Sequence, residues 1–250
     1  MLTDSELEVF SRQLILPDFS LEAQERMRAA SVLLVGCGGL GSPVALYLAA
    51  AGIGSLRLAD GDTVDPSNLP RQLLFGAADV GRSKAIAGAE FLRRRYPACQ
   101  IQVIGDALVE ATMSSALAGV SAVADGSDNY PTRYALNRAC IHAKVPLVSA
   151  AAIRSEGHLA TFDHARGTAC YRCAYPDASG TTALSCRDSG VLGPVVGTLG
   201  ALQALEVIKV LTGWGQSLRG RMLFLDLARN EQRVLSLSKN PSCPDCAGVG

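Results

Sequence analysis

The stretch LLVGCGGLGS, from Leu33 to Ser42, joins an apolar run to a helix-like run through four glycines. Gly36 permits a tight turn after a buried strand, Gly38 lets the backbone approach a phosphate, and Gly41 lets the following helix pack on the strand. The N-terminus of that helix would offer free N–H groups and its positive dipole end to the phosphate. The stretch predicts a nucleotide-binding loop, the alternative being a purely structural glycine turn.

The segments around this loop alternate between strand-like and helix-like patterns. Short amphipathic helices are predicted over 4–16 and 20–30. The apolar face of the first would consist of Leu7, Phe10, Leu14 and Ile15. Strands are predicted over 31–36, 55–60, 100–105, 121–126 and 145–152, with helices over 40–51, 82–96, 111–117 and 131–143. This order predicts an α/β fold with a Rossmann-like, doubly wound and mostly parallel sheet.

The pattern changes after about residue 153. A strand is predicted over 157–163, and a long helix over 191–211 that Gly213 ends as a C-cap. Residues 221–227 and 231–237 resemble a hairpin, which would add antiparallel strands to the sheet edge. We therefore predict one domain over residues 1–250. Its parts would be N-terminal helices (4–30), a nucleotide-binding half (31–153) and an elaborated C-terminal half (154–250).

Charge and hydropathy argue against several classes of protein. The chain has 23 basic and 23 acidic residues, so its net charge gives no indication of nucleic-acid binding. The polar, acidic start MLTDSELEVF predicts no signal peptide. The apolar stretch from Val191 to Leu205 is too short and interrupted for a membrane span. We expect a cytoplasmic protein whose eight cysteines are metal ligands, reactive thiols or core residues rather than disulfides.

Asp60 follows the second predicted strand, nineteen residues after Gly41, where an acidic residue meets a ribose hydroxyl in dinucleotide-binding proteins. A nicotinamide-dependent oxidoreductase needs little more than the glycine loop and this acid. A nucleoside triphosphate also needs several cations and a metal ligand, because its negative charges must be neutralised for phosphoryl chemistry.

Such extra charges are present at the predicted carboxyl edge of the sheet. After the second and fourth strands come the charged residues Arg71, Arg82, Lys84 and Asp128, together with the neutral amides Asn68, Gln72 and Asn129. Carboxyl ends of strands line the ligand crevice of an open parallel sheet, and Mg²⁺ is often held by one or two carboxylates plus phosphates. Each residue alone could be a surface ion pair or a turn residue. Together they favour ATP over a nicotinamide cofactor, and they argue against a non-catalytic nucleotide-binding module.

The cysteines fall into three groups. The pairs Cys170–Cys173 and Cys243–Cys246 could each supply two corners of a tetrahedral zinc site, although spacing alone leaves a redox dithiol or a chance pairing open. Cys186, beside Arg187, could be a thiolate of lowered pKa or an idle loop cysteine. Core packing is the expected role of Cys37, Cys99 and Cys140.

Six sequence blocks then identify a family. In order they are SRQLILPDFSLEAQERM, LLVGCGGLGSPVALYLAAAGIG, LADGDTVDPSNLPRQLLF, VGRSKA, DGSDN and CRDSGVLGPVVGTLGALQALEVIK. From about Phe10 to Cys246 the chain resembles the MoeB/ThiF family of sulfur-carrier-protein adenylyltransferases, bacterial relatives of the ubiquitin-activating enzymes. The resemblance implies a reaction in which the Gly-Gly carboxylate of a small ubiquitin-like carrier attacks the α-phosphate of ATP. An acyl-adenylate forms, pyrophosphate leaves, and the carrier later becomes a thiocarboxylate.

The resemblance also implies roles for individual residues. Gly39 and its neighbours would line the nucleotide, and Asp60 would hold the ribose. The residues near the phosphates would be Ser67, Asn68, Arg71, Gln72 and Lys84. Asp128 would bind Mg²⁺, with Asn129 adjacent, and Arg12 would reach the phosphates of a neighbouring subunit in a homodimer.

The remaining implications concern sulfur and zinc. A structural Zn²⁺ is expected on Cys170, Cys173, Cys243 and Cys246. Cys186 would act only in later sulfur transfer, through a covalent link to the carrier, with a sulfur donor protein as a further partner. The loop around 174–190 would cover the carrier tail. The sequence blocks leave the pathway open between the thiamin-thiazole and molybdopterin branches.

Overall fold

One continuous sheet organises the residues that the computed structural model describes, which are 2–104, 108–176 and 190–249. Its eight strands are β1 (Ser31–Val35), β2 (Ser55–Ala59), β3 (Gln100–Val103), β4 (Ala122–Asp125), β5 (Leu147–Ile153), β6 (Glu156–Phe162), β7 (Arg221–Asp226) and β8 (Glu231–Ser236). They lie in the order β3-β2-β1-β4-β5-β6-β7-β8. The first five are mutually parallel and the last three pair antiparallel, which confirms the predicted doubly wound fold with antiparallel C-terminal strands.

Helices cover both faces of the sheet. They are α1 (Asp4–Val9), α2 (Ser11–Leu14), α3 (Leu21–Ala29), α4 (Gly41–Ala50), α5 (Lys84–Arg95), α6 (Glu110–Ala116), α7 (Tyr130–Ala143), α8 (Tyr171–Ala174) and α9 (Gly193–Thr212). Side chains of α4, α5 and α9 form one large core cluster with the sheet, and those of α6, α7 and α8 form a second.

Strand β1 shows why the sequence builds two cores. Val32 and Leu34 lie in the first cluster, whereas Leu33 and Val35 lie in the second. Successive side chains of a strand point to opposite faces, so a strand covered by helices on both sides is apolar at every position.

Helix α9 crosses the first core. Among the described residues it is the one helix long and apolar enough to span a membrane. It instead packs against β4, β5 and β6, and Gln203 donates hydrogen bonds of 2.9 Å to the carbonyls of Asp125 and Val148. Its apolar character is therefore explained by burial in the fold.

The N-terminal prediction is partly wrong. The pattern predicted one helix over 4–16, but the backbone leaves helical geometry at Phe10 and two short helices result. Phe10 is buried against Gly52, whereas Leu7 and Ile15 are exposed, so the predicted apolar face does not form. From residue 20 onward, every predicted strand and helix is present with ends within two residues, and α8 was not predicted.

Candidate active site

A cavity of about 820 Å³ opens at the carboxyl ends of the parallel strands. Strand β1 lies between β2 and β4, so the cavity sits at the switch point where open α/β sheets bind ligands. Predicted site residues that line it are Gly36, Gly38, Gly39, Asp60, Asn68, Arg71, Gln72, Lys84, Asp128 and Asn129. Its volume is in the range of small-molecule sites.

The glycine loop has two positions that exclude any side chain. Gly36 has a φ of +86°, and a Cβ there would lie 2.8 Å from the carbonyl oxygen of Gly126. A Cβ on Gly41 would lie 1.8 Å from the carbonyl oxygen of Gly36. Gly38 differs, since its nearest neighbour would be the Gln72 amide at 3.6 Å on the cavity side. Gly41 is buried below the loop and is not a lining residue, so its role is to let α4 approach β1.

Asp60 connects the end of β2 to this loop. Its carboxylate accepts hydrogen bonds from the backbone N–H groups of Cys37 at 2.7 Å and Asp62 at 2.8 Å. Burial raises the pKa of Asp60, against the opposing effect of these two hydrogen bonds. An ionised carboxylate has about four acceptor sites, so lone pairs remain for a ribose hydroxyl.

The turn after β2 presents polar side chains to the cavity. Asp65 caps the short 3-10 turn Pro66–Asn68 by accepting from the N–H of Ser67 at 2.8 Å. Arg71 donates to the Ser67 carbonyl at 2.7 Å, which orients its guanidinium. Gln72 is only 3% exposed, and its Oε1 has no hydrogen-bond partner among the described residues. A buried acceptor of this kind is costly unless a ligand or water pairs with it.

Lys84 and Arg82, which are both among the cations predicted at the carboxyl edge of the sheet, have different surroundings. Lys84 begins α5, is 5% exposed, lines the cavity and places Nζ 2.8 Å from the carboxylate of Asp62. Arg82 is exposed, pairs with Asp79 at 2.8 Å and Glu90 at 2.6 Å, and is not a lining residue. Arg82 therefore lies outside the cavity lining, where its local acidic partners hold it.

The turn after β4 supplies the carboxylate of the site. Asn129 caps α7 by accepting from the N–H of Thr132 at 2.9 Å. Asp128 is exposed and lines the cavity, on the same turn as the glycine-loop neighbour Gly126. A carboxylate in such a place suits a Mg²⁺ ion that also binds phosphates.

Sequence reasoning missed a buried polar network beneath this turn. Asp125 is fully buried and accepts from Ser127 Oγ at 2.6 Å and Ser149 Oγ at 2.7 Å. Arg133 lines the cavity, donates to the carbonyl of Ser127 and places Nε 3.9 Å from the Asp125 carboxylate. Although burial acts in the opposite direction, the Asp125 charge raises the pKa of Arg133. The available sequence signal for this network was Asp125, an acidic residue at the end of a strand predicted to be buried.

His158 is a second lining residue that the sequence did not indicate. Its ring packs against Tyr175 and Phe224, with centroid distances of 5.6 and 6.1 Å. Burial, with a smaller effect from the charge of Arg133, lowers the pKa of His158 to about 4. The imidazole is therefore neutral at physiological pH.

Among the described residues, Arg12 and Ser67, like Gly41, are predicted site residues that do not line the cavity. Arg12 is exposed on α2, and Ser67 is exposed with its carbonyl bound to Arg71. Cys186, like most of the predicted covering loop 174–190, lies outside the described residues. Cys37, Cys99 and Cys140 are buried, as expected for core cysteines.

The two C-x-x-C pairs converge. The Sγ atoms of Cys170, Cys173, Cys243 and Cys246 all lie within 4.8 Å of one another. Three Sγ–Sγ distances are 3.6, 3.6 and 3.8 Å. Four thiolates around a tetrahedral zinc with Zn–S of about 2.3 Å are about 3.8 Å apart, whereas a disulfide requires about 2.05 Å. The cluster therefore fits Zn²⁺ and leaves no ligand position open.

Comparisons with known proteins identify the family. Residues 10–245 match the sequence profile of the ThiF family. The chain belongs to the ThiF family. Among curated ThiF-type relatives, the molybdopterin-synthase adenylyltransferase of Salmonella typhimurium is 42% identical over 245 residues, covering 98% of both chains. The adenylyltransferase and sulfurtransferase MOCS3 of Bos taurus is 47% identical over 250 residues, covering 100% of this chain and 54% of the relative.

The ThiF-family chain thus spans about half the length of the MOCS3 relatives it matches. Solved structures agree on the fold at lower identity. The crystal structure of E. coli MccB with ATP has a TM-score of 0.79 and 22% identity, covering 90% of this chain and 69% of that one. PaaA has a TM-score of 0.82 and 21% identity, covering 96% and 76%.

Proposed function

We propose that this chain is an ATP-dependent adenylyltransferase. It would convert the C-terminal Gly-Gly carboxylate of a small ubiquitin-like sulfur carrier into an acyl-adenylate, with release of pyrophosphate. The observation that carries the proposal is the convergence of the glycine loop, Asp60, Arg71, Lys84 and Asp128 on one cavity. The relatives, named as adenylyltransferases, support the same activity.

The lining residues suit this chemistry. A carboxylate oxygen of the carrier forms a bond to the α-phosphorus of ATP, and the bond from that phosphorus to the β-bridging oxygen breaks. Both reactants are anions, so the enzyme must position them and offset their charge rather than supply a nucleophile. Arg71 and Lys84 would stabilise the charge that moves onto pyrophosphate. Mg²⁺, held by Asp128, would neutralise further phosphate charge.

The lining of the cavity supports a protein tail as the second substrate. Beyond the glycine loop the cavity continues over the antiparallel strands, where it is lined by Ala151, His158, Phe224, Arg233 and Leu235. This extension is partly apolar and comes from β5 to β8, so it could admit an extended C-terminal segment. We assign it to the carrier tail.

Further assignments follow from the family and the relatives. Names that refer to molybdopterin synthase favour the molybdopterin branch over the thiamin-thiazole branch. We assign Cys186 to later sulfur transfer from a donor protein, and Arg12 to the phosphates of the partner in a homodimer. The cysteine cluster would hold a structural Zn²⁺, and we place the protein in the cytoplasm, without a nucleic-acid or membrane partner.

Pyrophosphate–ATP exchange tests the activity. With Mg²⁺ and a purified carrier ending in Gly-Gly, labelled pyrophosphate should enter ATP, and a carrier lacking its last glycine should give none. Asp128→Ala and Lys84→Met should each lower the exchange rate on the order of 100-fold, because each removes charge stabilisation at the phosphates. Cys186→Ala should leave exchange unchanged and impair only thiocarboxylate formation.

Arg82→Met is the matched control for Lys84→Met. It removes a cation two residues away that pairs with Asp79 and Glu90 outside the cavity, so exchange should stay within about twofold of the wild type. Absence of exchange with every Gly-Gly carrier, or binding of a nicotinamide cofactor in place of ATP, would refute the proposed function. Equal losses in the Arg82 and Lys84 variants would refute the assignment of Lys84.

A further inference from the structure

Helix α7 joins the nucleotide cavity to the cysteine cluster. Tyr130 and Arg133, on its first turns, line the cavity. Asn137 and Ile141, on later turns, contact the cysteine cluster. Arg133, Asn137 and Ile141 are spaced four residues apart and so lie on one face of the helix. One rigid element about 20 Å long therefore touches both sites.

A single buried amide makes the connection at the cysteine end. Asn137 is 1% exposed, and its Oδ1 accepts from the backbone N–H of Tyr171 at 2.8 Å. Its Nδ2 donates to Asp245 Oδ2 at 2.7 Å and lies 3.6 Å from Cys170 Sγ. Asp245 lies between Cys243 and Cys246. The Asn137 side chain thus ties α7 to both cysteine pairs, which are far apart in the sequence.

Arg133 makes the connection at the cavity end. Its guanidinium donates to the carbonyl of Ser127 and, at 3.3 Å, to that of Ala150. Ser127 directly precedes Asp128, the exposed carboxylate of the cavity. A shift of α7 would therefore move the Arg133 guanidinium, which donates to the Ser127–Asp128 turn. Ser127 would still be held from the other side, because its N–H and Oγ donate to the Asp125 carboxylate.

We propose that Asn137 is a positioning residue through which the zinc-loaded cysteine cluster holds α7, and with it the Ser127–Asp128 turn, in the geometry that binds Mg²⁺–ATP. The proposal rests on the assignment of the cavity to Mg²⁺–ATP. Metal-bound thiolates are commonly oriented by hydrogen bonds from neighbouring groups, and losing such a partner weakens metal binding. Here the same partner is also part of the helix that carries the cavity residue Arg133.

The test substitution is Asn137→Asp in the zinc-loaded protein. It keeps the shape and the acceptor for the Tyr171 N–H, but replaces the donor with a carboxylate facing Asp245 and the thiolates. Zinc affinity, measured by competition with a chromophoric chelator, should fall about 10- to 100-fold. The Kd of a non-hydrolysable Mg²⁺–ATP analogue, measured by calorimetry at saturating zinc, should rise about fivefold.

Exchanging the two partners checks the bond itself. In the double variant Asn137→Asp with Asp245→Asn, the donor and the acceptor of this bond are reversed, so the analogue Kd should return most of the way to the wild-type value. Zinc affinity should return only in part, because the contact of residue 137 with Cys170 Sγ stays lost. His164→Phe is the matched control, because His164 Nε2 lies 2.7 Å from the Val249 carbonyl and holds the C-terminal segment without a hydrogen bond to α7. At saturating zinc, its Kd for the analogue should stay within about twofold of the wild type.

Other outcomes overturn the proposal. If Asn137→Asp weakens zinc binding but leaves the analogue Kd within twofold of the wild type, the cluster does not position the cavity. The same holds if the double variant restores neither affinity. If Asn137→Asp does not fold, Asp245→Ala tests the same bond from outside α7, and an unchanged analogue Kd there refutes the link. A wild-type protein that does not bind the analogue refutes the cavity assignment itself.

Discussion

Mild acid should destabilise this protein through the imidazole of His158. Its pKa is about 4 in the folded protein, lowered by burial and by the charge of Arg133, against an ordinary value of 6.5. Between these values the unfolded chain binds a proton that the folded chain does not, so stability rises with pH through this window. The contribution of the neutral His158 imidazole to the free energy of unfolding is fully present above pH 6.5 and is lost as the pH falls toward 4. From the two pKa values, the loss between pH 7.5 and 5.5 is about 1.3 kcal/mol.

Equilibrium urea unfolding of the wild type and of His158→Phe measures this effect. The substitution keeps an aromatic ring against Tyr175 and Phe224 but removes the titrating group. The loss or gain of packing free energy caused by the substitution does not depend on pH, and the other titrating groups contribute equally to the wild type and the variant. The difference between the two proteins should therefore change by about 1.3 kcal/mol between pH 7.5 and 5.5, in favour of the variant at the lower pH. A difference constant within about 0.5 kcal/mol over that range would refute a buried neutral imidazole.

Two further predictions concern the glycine loop and Asp60. Gly41→Ala should abolish ATP binding and lower the melting temperature sharply, because its Cβ would lie 1.8 Å from the Gly36 carbonyl oxygen, whereas Gly38→Ala should fold normally. Thermal unfolding of both variants tests this, and equal melting temperatures would contradict the packing argument. The raised pKa of Asp60 means that protonation sets in at a higher pH than for an ordinary aspartate. In calorimetric titrations at decreasing pH, ATP affinity should fall as Asp60 becomes protonated. Asp60→Asn should bind ATP weakly and should not show this fall. The same decrease in affinity with pH in the variant would exclude Asp60 as its source.

Much of the fold follows from local patterns. Apolar runs flanked by glycine, and amphipathic runs between them, located the strands and helices from residue 20 onward because their periodicities differ. The N-terminal helix failed for a tertiary reason. Phe10 turns its ring toward Gly52, and this contact with a distant residue interrupts the helix that periodicity alone would continue.

The candidate site likewise contains residues that the sequence could place and residues that it could not. Gly36, Gly41 and Asp60 could be placed from the sequence because the loop motif is short and its geometry is local. Residue type and position alone did not distinguish Lys84 from Arg82, since both are cations at the start of the helix predicted over 82–96. Only the folded chain shows that Asp79 and Glu90 hold Arg82 at the surface, whereas Lys84 is buried at the cavity.

The sequence by itself determined the class of sheet, the glycine loop between the first strand and its helix, and the four cysteines suited to a metal. Each of these depends on residue types at short spacings, where covalent geometry limits the possible structures. Tertiary structure alone decided that the two cysteine pairs meet, that Asp125 and Arg133 lie under one turn, and that Asn137 links the cluster to the cavity helix. These contacts join residues far apart in the chain, and whether such groups meet depends on the packing of every element between them.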